Sequence, residues 1–360
     1  MDNKTKVKVA VVIGIVILAI IFIFMVVFVK GNRTPVNKNI PRKSDANYVD
    51  PTQNDPTEDE QEPVGEPISL DNVESLGIKN GNLVKIGSDL NSNIVKKLES
   101  GFTEYCYGNN NVFTVINNED GTYSVIEIDL SNSEYPEKTI ITTSEYGSIT
   151  NIEYFAEKLY FVSEKGQLIE YSIPESFFKA LTKENEVKSF VLNKNNNSII
   201  LSYKPNGQDS GIYVLDFTSN SFTKIISLND FAGKLLLNGK TLVIDVKEFN
   251  KLYAYDIENN TVVEIGNDNY LALAENHVAF YNDLLLYTNG TAIDIRDSSG
   301  NVYQNGWYTL DERTIASISM LSSSKLQVAK VGGGSIIVDL INGTTEEIPD
   351  NSYTNVIRIK

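Results

Sequence analysis

Six aspartates and one serine recur along most of the chain at nearly constant spacing. Asp89, Asp129, Ser172, Asp216, Asp256, Asp297 and Asp339 lie 40, 43, 44, 40, 41 and 42 residues apart. Each closes a run of alternating apolar and polar residues and opens a short polar turn, after which a second alternating run begins. The stretch Gly211-Ile-Tyr-Val-Leu-Asp216, with its turn Phe217–Asn220 and its return Ser221–Ile225, is the clearest copy. A strand-rich unit repeating every forty or so residues cannot bury its apolar faces alone and must stack on its neighbours. At this period the stack is a β-propeller of four-stranded blades. The expectation is therefore an all-β fold, a seven-bladed β-propeller over residues 69–360.

Within one unit the pattern separates into four strands, Lys188–Leu192, Ser198–Tyr203, Ile212–Phe217 and Ser221–Ile226. The intervening turns carry residues that tolerate a left-handed backbone, such as Asn118–Gly121, Asn206-Gly207, Asn289-Gly290 and Asn342-Gly343. The segment Ser176–Lys183 has some helical character, yet it falls where every other unit has its fourth strand. The unit around Tyr270–Tyr281 reads either as one long strand or as two short ones. The two ends specify closure. Three strands, near 76–79, 82–86 and 93–98, precede the first complete unit, and one strand, Tyr353–Ile359, follows the last. Pairing them completes a seventh blade and removes two exposed sheet edges.

On these Asp-ended hairpins the chain resembles the broad bacterial group of TolB-like and WD-repeat-like β-propeller proteins over residues 69–360. The Trp-Asp and Gly-His pairs of true WD repeats are absent, so the resemblance implies the fold and carries no particular family or function.

Ahead of the repeats, Val9–Val29 is a run of 21 uncharged apolar residues between Lys8 and Lys30. As a helix it would measure roughly 31 Å, the thickness of a bilayer's hydrocarbon core. Residues 1–8 then form a short basic tail and 9–29 a transmembrane helix. The run is too long for a signal peptide and no cleavage site follows it. Counting Lys and Arg on either side gives no clear orientation. The pattern of a short basic tail before one long apolar segment is that of an uncleaved signal anchor, which places the C-terminal domain outside the cytoplasm, at the cell membrane. Residues 30–68 read as a disordered linker. Six of the ten prolines lie there, and its charge changes from basic, through Lys43, to eight acidic residues between 44 and 67.

The remaining composition excludes several chemistries. One cysteine (Cys106) and one histidine (His277) leave no intramolecular disulfide and exclude most Cys/His zinc sites and Cys–His dyads. Cys106 reads as a small buried hydrophobe and His277 as an ordinary strand or loop residue. A net charge of −16 makes nucleic acid an unfavourable partner. The recurring Asp is placed to accept the backbone N–H two residues on, which accounts for it without a metal. Gly332-Gly-Gly334 lies between strands and opens no helix, so a phosphate cradle is not expected. No metal or cofactor is expected.

Aromatic residues also recur, at the junctions from the fourth strand of one blade to the first of the next: Phe102, Tyr146, Phe231, Tyr270, Trp307-Tyr308 and Tyr353. They either plug the gaps between blades or rim a binding surface. Tyr146, Phe231, Trp307 and Tyr308, with the long excursion 204–211, are the candidate ligand-binding residues. Two functions fit. One is a non-catalytic, membrane-tethered binding or scaffolding module for an envelope protein or cell-wall component. The other is a carbohydrate-active hydrolase or lyase using carboxylates and Tyr in the central channel.

Overall fold

The computed structural model describes residues 70–246, 251–267, 277–310, 315–348 and 352–359. The apolar run 9–29, the linker 30–68 and Tyr270 lie outside the described residues. Seven four-stranded antiparallel sheets succeed one another around a ring. Blade 1 consists of β28 (Thr354–Arg358), β1 (Val73–Lys79), β2 (Asn82–Gly87) and β3 (Ser92–Lys97). Blade 2 is β4 (Phe102–Gly108), β5 (Asn111–Asn117), β6 (Tyr123–Asp129) and β7 (Glu137–Thr143). Blade 3 is β8 (Ile149–Phe155), β9 (Lys158–Ser163), β10 (Leu168–Ser172) and β11 (Phe177–Ala180). Blade 4 is β12 (Val187–Asn193), β13 (Ser198–Tyr203), β14 (Gly211–Asp216) and β15 (Ser221–Ser227). Blade 5 is β16 (Leu235–Asn238), β17 (Thr241–Val246), β18 (Lys251–Asp256) and β19 (Thr261–Asn267). Blade 6 is β20 (Val278–Tyr281), β21 (Leu284–Thr288), β22 (Ala292–Arg296) and β23 (Val302–Thr309). Blade 7 is β24 (Ile315–Met320), β25 (Lys325–Lys330), β26 (Ser335–Asp339) and β27 (Thr345–Ile348).

The sequence pattern follows from where each strand sits. Second strands are covered by neighbouring blades on both faces, so β13 and β17 are buried at every position and read as continuous apolar runs broken only by small or paired polar residues. Fourth strands form the outer edge, and β15 and β27 have no fully buried position there. The segment Ser176–Lys183 contains a strand, β11, paired with β10, as its position in the repeat requires.

No single central core exists. Apolar side chains gather instead in seven clusters, one at each seam between blades. Phe113 and Phe161 belong to the cluster at the seam of blades 2 and 3, Leu168 and Phe190 to that at the next. Cys106 is buried among the first of these groups, as a small hydrophobe. Each fully buried side chain of this size contributes about 1.5–3 kcal/mol, so every seam adds to stability. At two seams an aromatic ring is received by a glycine. Gly108 lies under Tyr154, and Gly266 under Tyr287, where any β-carbon would overlap the ring.

Closure joins the ends of the chain. β28 pairs antiparallel with β1 through Ser75↔Arg358, Leu76↔Ile357 and Ile78↔Thr354. Its entry is fixed by Tyr353, buried in the seam of blades 7 and 1. The buried amide of Gln327 donates to the Tyr353 carbonyl (2.8 Å) and accepts from its N–H (2.8 Å).

Candidate functional site

Because every strand is antiparallel to the next, the connections divide between two ends of the ring. Turns from first to second and from third to fourth strand lie on one end, the turn face. Connections from second to third strand, and from each blade to the next, lie on the other, the loop face.

The recurring Asp lies on the turn face and does what its position predicts. Asp89, Asp129, Asp216, Asp256, Asp297 and Asp339 each accept the backbone N–H two residues on, at 2.8–3.1 Å. Ser172 takes the position in blade 3. Hydrogen bonds favour the charged form of Asp129, Asp216, Asp256 and Asp339. The Ser131 hydroxyl and N–H depress the pKa of Asp129, and the Ser219 N–H and hydroxyl that of Asp216. At Asp256 burial works in the opposite sense. It is outweighed by the N–H and amide of Asn259, the Ser299 hydroxyl and the Lys240 ammonium, which take the pKa down to about 2. Among the described residues no group of three or more His, Cys, Asp or Glu is arranged to hold a metal ion.

The loop face is irregular. Its second-to-third-strand connections range from Asn80-Gly81 to the seven residues 204–210. The aromatic candidates are distributed around this end rather than gathered in one pocket. Tyr146 lies between β7 and β8, its ring 6.1 Å from that of Phe161 and 5.0 Å from that of Phe178. Burial raises its pKa. Phe231 lies between β15 and β16, partly exposed, with its N–H on Asp230 Oδ1 (2.8 Å). Trp307 and Tyr308 depart from the expectation. They belong to β23 itself, near its loop-face end, and not to the junction after it. A bulge causes this. Gly306, with φ 58°, donates its N–H to Asp294 Oδ1 (2.7 Å), and pairing then continues to Thr309↔Ala292. The two rings, 6.1 Å apart, are partly buried against the seam of blades 6 and 7. Phe102 likewise is the first residue of β4, paired with Ile116. Tyr353 plugs a seam, so plugging accounts for part of the recurrence and partial exposure for the rest.

The central channel is lined by the innermost strands β28, β4, β8, β12, β16, β20 and β24. An innermost strand has an unpaired edge, and its N–H groups need acceptors. In β8 and β12 side chains of the preceding blade supply some of them. Glu104 accepts from Ile152 N–H (3.0 Å), Asn151 from Phe190 N–H (2.9 Å) and Glu153 from Leu192 N–H (3.2 Å). In the opposite direction the Tyr105 hydroxyl donates to Asn355 O (2.5 Å). Desolvation pushes the Glu153 carboxyl up to about 7, against the pull of Lys194, the Leu192 N–H and Lys234, with Glu104 adding to the rise. These carboxylates act as pins between blades, each with an oxygen committed to backbone. The sequence reading missed them, although a mid-strand acid on two successive innermost strands was a signal available to a blade-by-blade alignment.

No protein-family model matches the chain, and no curated protein sequence matches it. Among solved structures it is similar to the WD-repeat protein Sqt1 of Saccharomyces cerevisiae, with a TM-score of 0.52 and 11% identity over 78% of this chain and 86% of that one. It is similar also to PorZ, a surface component of the type-IX secretion system of Porphyromonas gingivalis, with a TM-score of 0.51 and 13% identity over 77% of this chain and 37% of that one. TolB of Acinetobacter baumannii aligns with a TM-score of 0.48 and 12% identity over 66% and 63%. At these identities the likeness is one of fold, the propeller that the Asp-ended repeats predict, with no particular family assigned.

Proposed function

We propose that the chain is a membrane-tethered, non-catalytic binding or scaffolding module of the cell envelope. In this reading residues 9–29 are the tether, 30–68 the spacer, and the propeller lies outside the cytoplasm and takes an envelope protein or cell-wall component on its loop face. One observation carries the reading, the difference between the two ends of the ring. The turn face repeats one hydrogen-bonded Asp turn in six blades, which is what folding alone requires. The loop face varies in length from blade to blade on the same scaffold and presents partly exposed Tyr146, Phe231, Trp307 and Tyr308. Variable loops on a rigid frame are where binding residues usually sit, and Trp and Tyr are the favoured anchors. The engaged state of Glu104 and Glu153 supports binding over acid–base chemistry in the channel.

The test is cross-linking and co-purification of the full chain from its native envelope. A partner retained by the native protein should be bound about 2 kcal/mol or more weakly by Trp307→Ala, and with unchanged affinity by Asp216→Ala. Loss of the partner on Asp216→Ala in a folded protein, with Trp307→Ala silent, assigns binding to the other face. Proteinase added to intact cells should degrade the propeller; protection until lysis places it in the cytoplasm.

A further inference from the structure

The turn face carries a polar basin that the loop-face reading leaves unused. Turns of blades 4, 5 and 6 enclose a concavity of about 460 Å³. Asn193, Asn195 and Asn196 line it from blade 4, Lys240 and Glu258 from blade 5, and Asp283 from blade 6; Ile257 is the one apolar side chain among its lining residues. The walls are held in place by bonds between blades 5 and 6. Asn238 Nδ2 donates to Asn282 O (2.8 Å), and the Thr241 hydroxyl donates to Ser298 O (2.6 Å). The Lys240 ammonium is already compensated, 3.6 Å from Asp256 and 3.5 Å from Glu258.

Asn193 is the telling residue. It is only 6% exposed and lines the basin, and its side chain makes no hydrogen bond among the described residues. A carboxamide with so little access to water gains from a partner that replaces that water. A ligand group that both donates and accepts would satisfy it. Asn195, Asn196 and the exposed Asp283 add free donors and acceptors around the same space.

The chemistry of the walls selects the ligand. Asp283 and Glu258 disfavour an anion. The scarcity of apolar wall disfavours a lipid, and also a peptide segment, whose binding rests on buried aromatic or aliphatic anchors. Hydroxyl groups donate and accept at once, and adjacent hydroxyls match the paired atoms of a carboxamide or carboxylate. We propose that this basin is a saccharide-binding site, with Asn193 and Asp283 as its principal hydrogen-bonding residues. It lies at the opposite end from the loop-face site and does not depend on that reading, so each can fail without the other.

The experiment presents the detergent-solubilised full chain to tetrasaccharides of glucose, galactose and N-acetylglucosamine, and follows binding by titration calorimetry. At least one should bind. Asp283→Ala and Asn193→Ala should each weaken that binding tenfold or more, while Lys97→Ala, on the outer strand of blade 1, leaves it unchanged. Asp283 is exposed and makes no hydrogen bond or ion pair among the described residues, so its variant retains the fold; thermal melting checks Asn193→Ala. Absence of binding at millimolar tetrasaccharide overturns the proposal, and so does binding that survives both substitutions. Binding of a peptide in the basin in place of sugar also overturns it.

Discussion

Replacing Asp256 should cost far more stability than replacing Asp216, although the two occupy the same place in the repeat. Both accept two successive turn N–H groups, Asp216 from Thr218 and Ser219 at 2.8 and 2.7 Å, Asp256 from Glu258 and Asn259 at 3.0 Å each. Asp216 has no partner from another blade among its bonds, and solvent replaces what it loses. Asp256 is fully buried. It also takes the Asn259 amide (2.9 Å), and the Ser299 hydroxyl of blade 6 reaches it at 3.0 Å. Asp256→Ala would leave these donors and Lys240 facing a small apolar gap. Hydrogen bonds to a charged group contribute about 1.5–3 kcal/mol each but are not additive in one network, so about 3 kcal/mol is the expected loss.

Urea unfolding of the full chain in detergent measures this, with the denaturant slope checked for constancy. The pH dependence supplies a second reading. The folded pKa of Asp256, about 2, lies below the unfolded value, so its contribution is complete above roughly pH 4 and fades as pH falls towards 2. The difference between wild type and Asp256→Ala should narrow over that window. If Asp256→Ala is no more harmful than Asp216→Ala at pH 7, the bond from Ser299 contributes nothing and the reasoning fails.

Deleting Tyr353–Lys360 should open blade 1, expose two sheet edges and cause aggregation or a large loss of stability; an unchanged melting temperature would refute closure by β28. Gly108→Ala should destabilise by about 1–3 kcal/mol through overlap with Tyr154, which stacks on Phe113 at 5.2 Å, and Tyr154→Leu in the same chain should recover part of it. The raised pKa of Glu153 has the opposite sign to that of Asp256. Between about pH 4 and 7 the folded chain holds a proton that the unfolded chain has released, so ionising Glu153 lowers stability as pH rises. Glu153→Gln should therefore gain on wild type from pH 5 to pH 8 in urea midpoints; a constant difference would show that the carboxyl titrates normally.

How far the sequence could be read depends on the range of the interaction. The Asp turns were legible because the carboxylate and the N–H it accepts are two residues apart, so one local motif repeated in six blades, with Ser172 in its place in the seventh, specifies both fold and blade number. Closure was legible because three strands at one end and one at the other have a single mutual solution. Trp307 and Tyr308 were placed one element too late because the Gly306 bulge, which lengthens β23, depends on Asp294 across the hairpin. The channel pins and the basin at Asn193 join residues of different blades. Glu104 and Ile152 are 48 residues apart, Asn151 and Phe190 39. Nothing local distinguishes Glu104 from any other strand glutamate.

The same distinction of range bears on where function can reside in this ring. Local turns that bond only within their own hairpin, as at Asp216, can each be lost at a modest, separate cost. Contacts between blades are unique to one seam, as Glu153 is to blades 3 and 4 and Ser299 to blades 5 and 6. A binding site needs a set of groups found at one place only, and on a scaffold of equivalent blades such sets arise where unlike blades meet. The junction aromatics lie at such places, and so does the basin between blades 4, 5 and 6. Substitutions confined to one repeated turn should accordingly change stability alone, whereas those at a particular seam can alter binding in a protein that still folds.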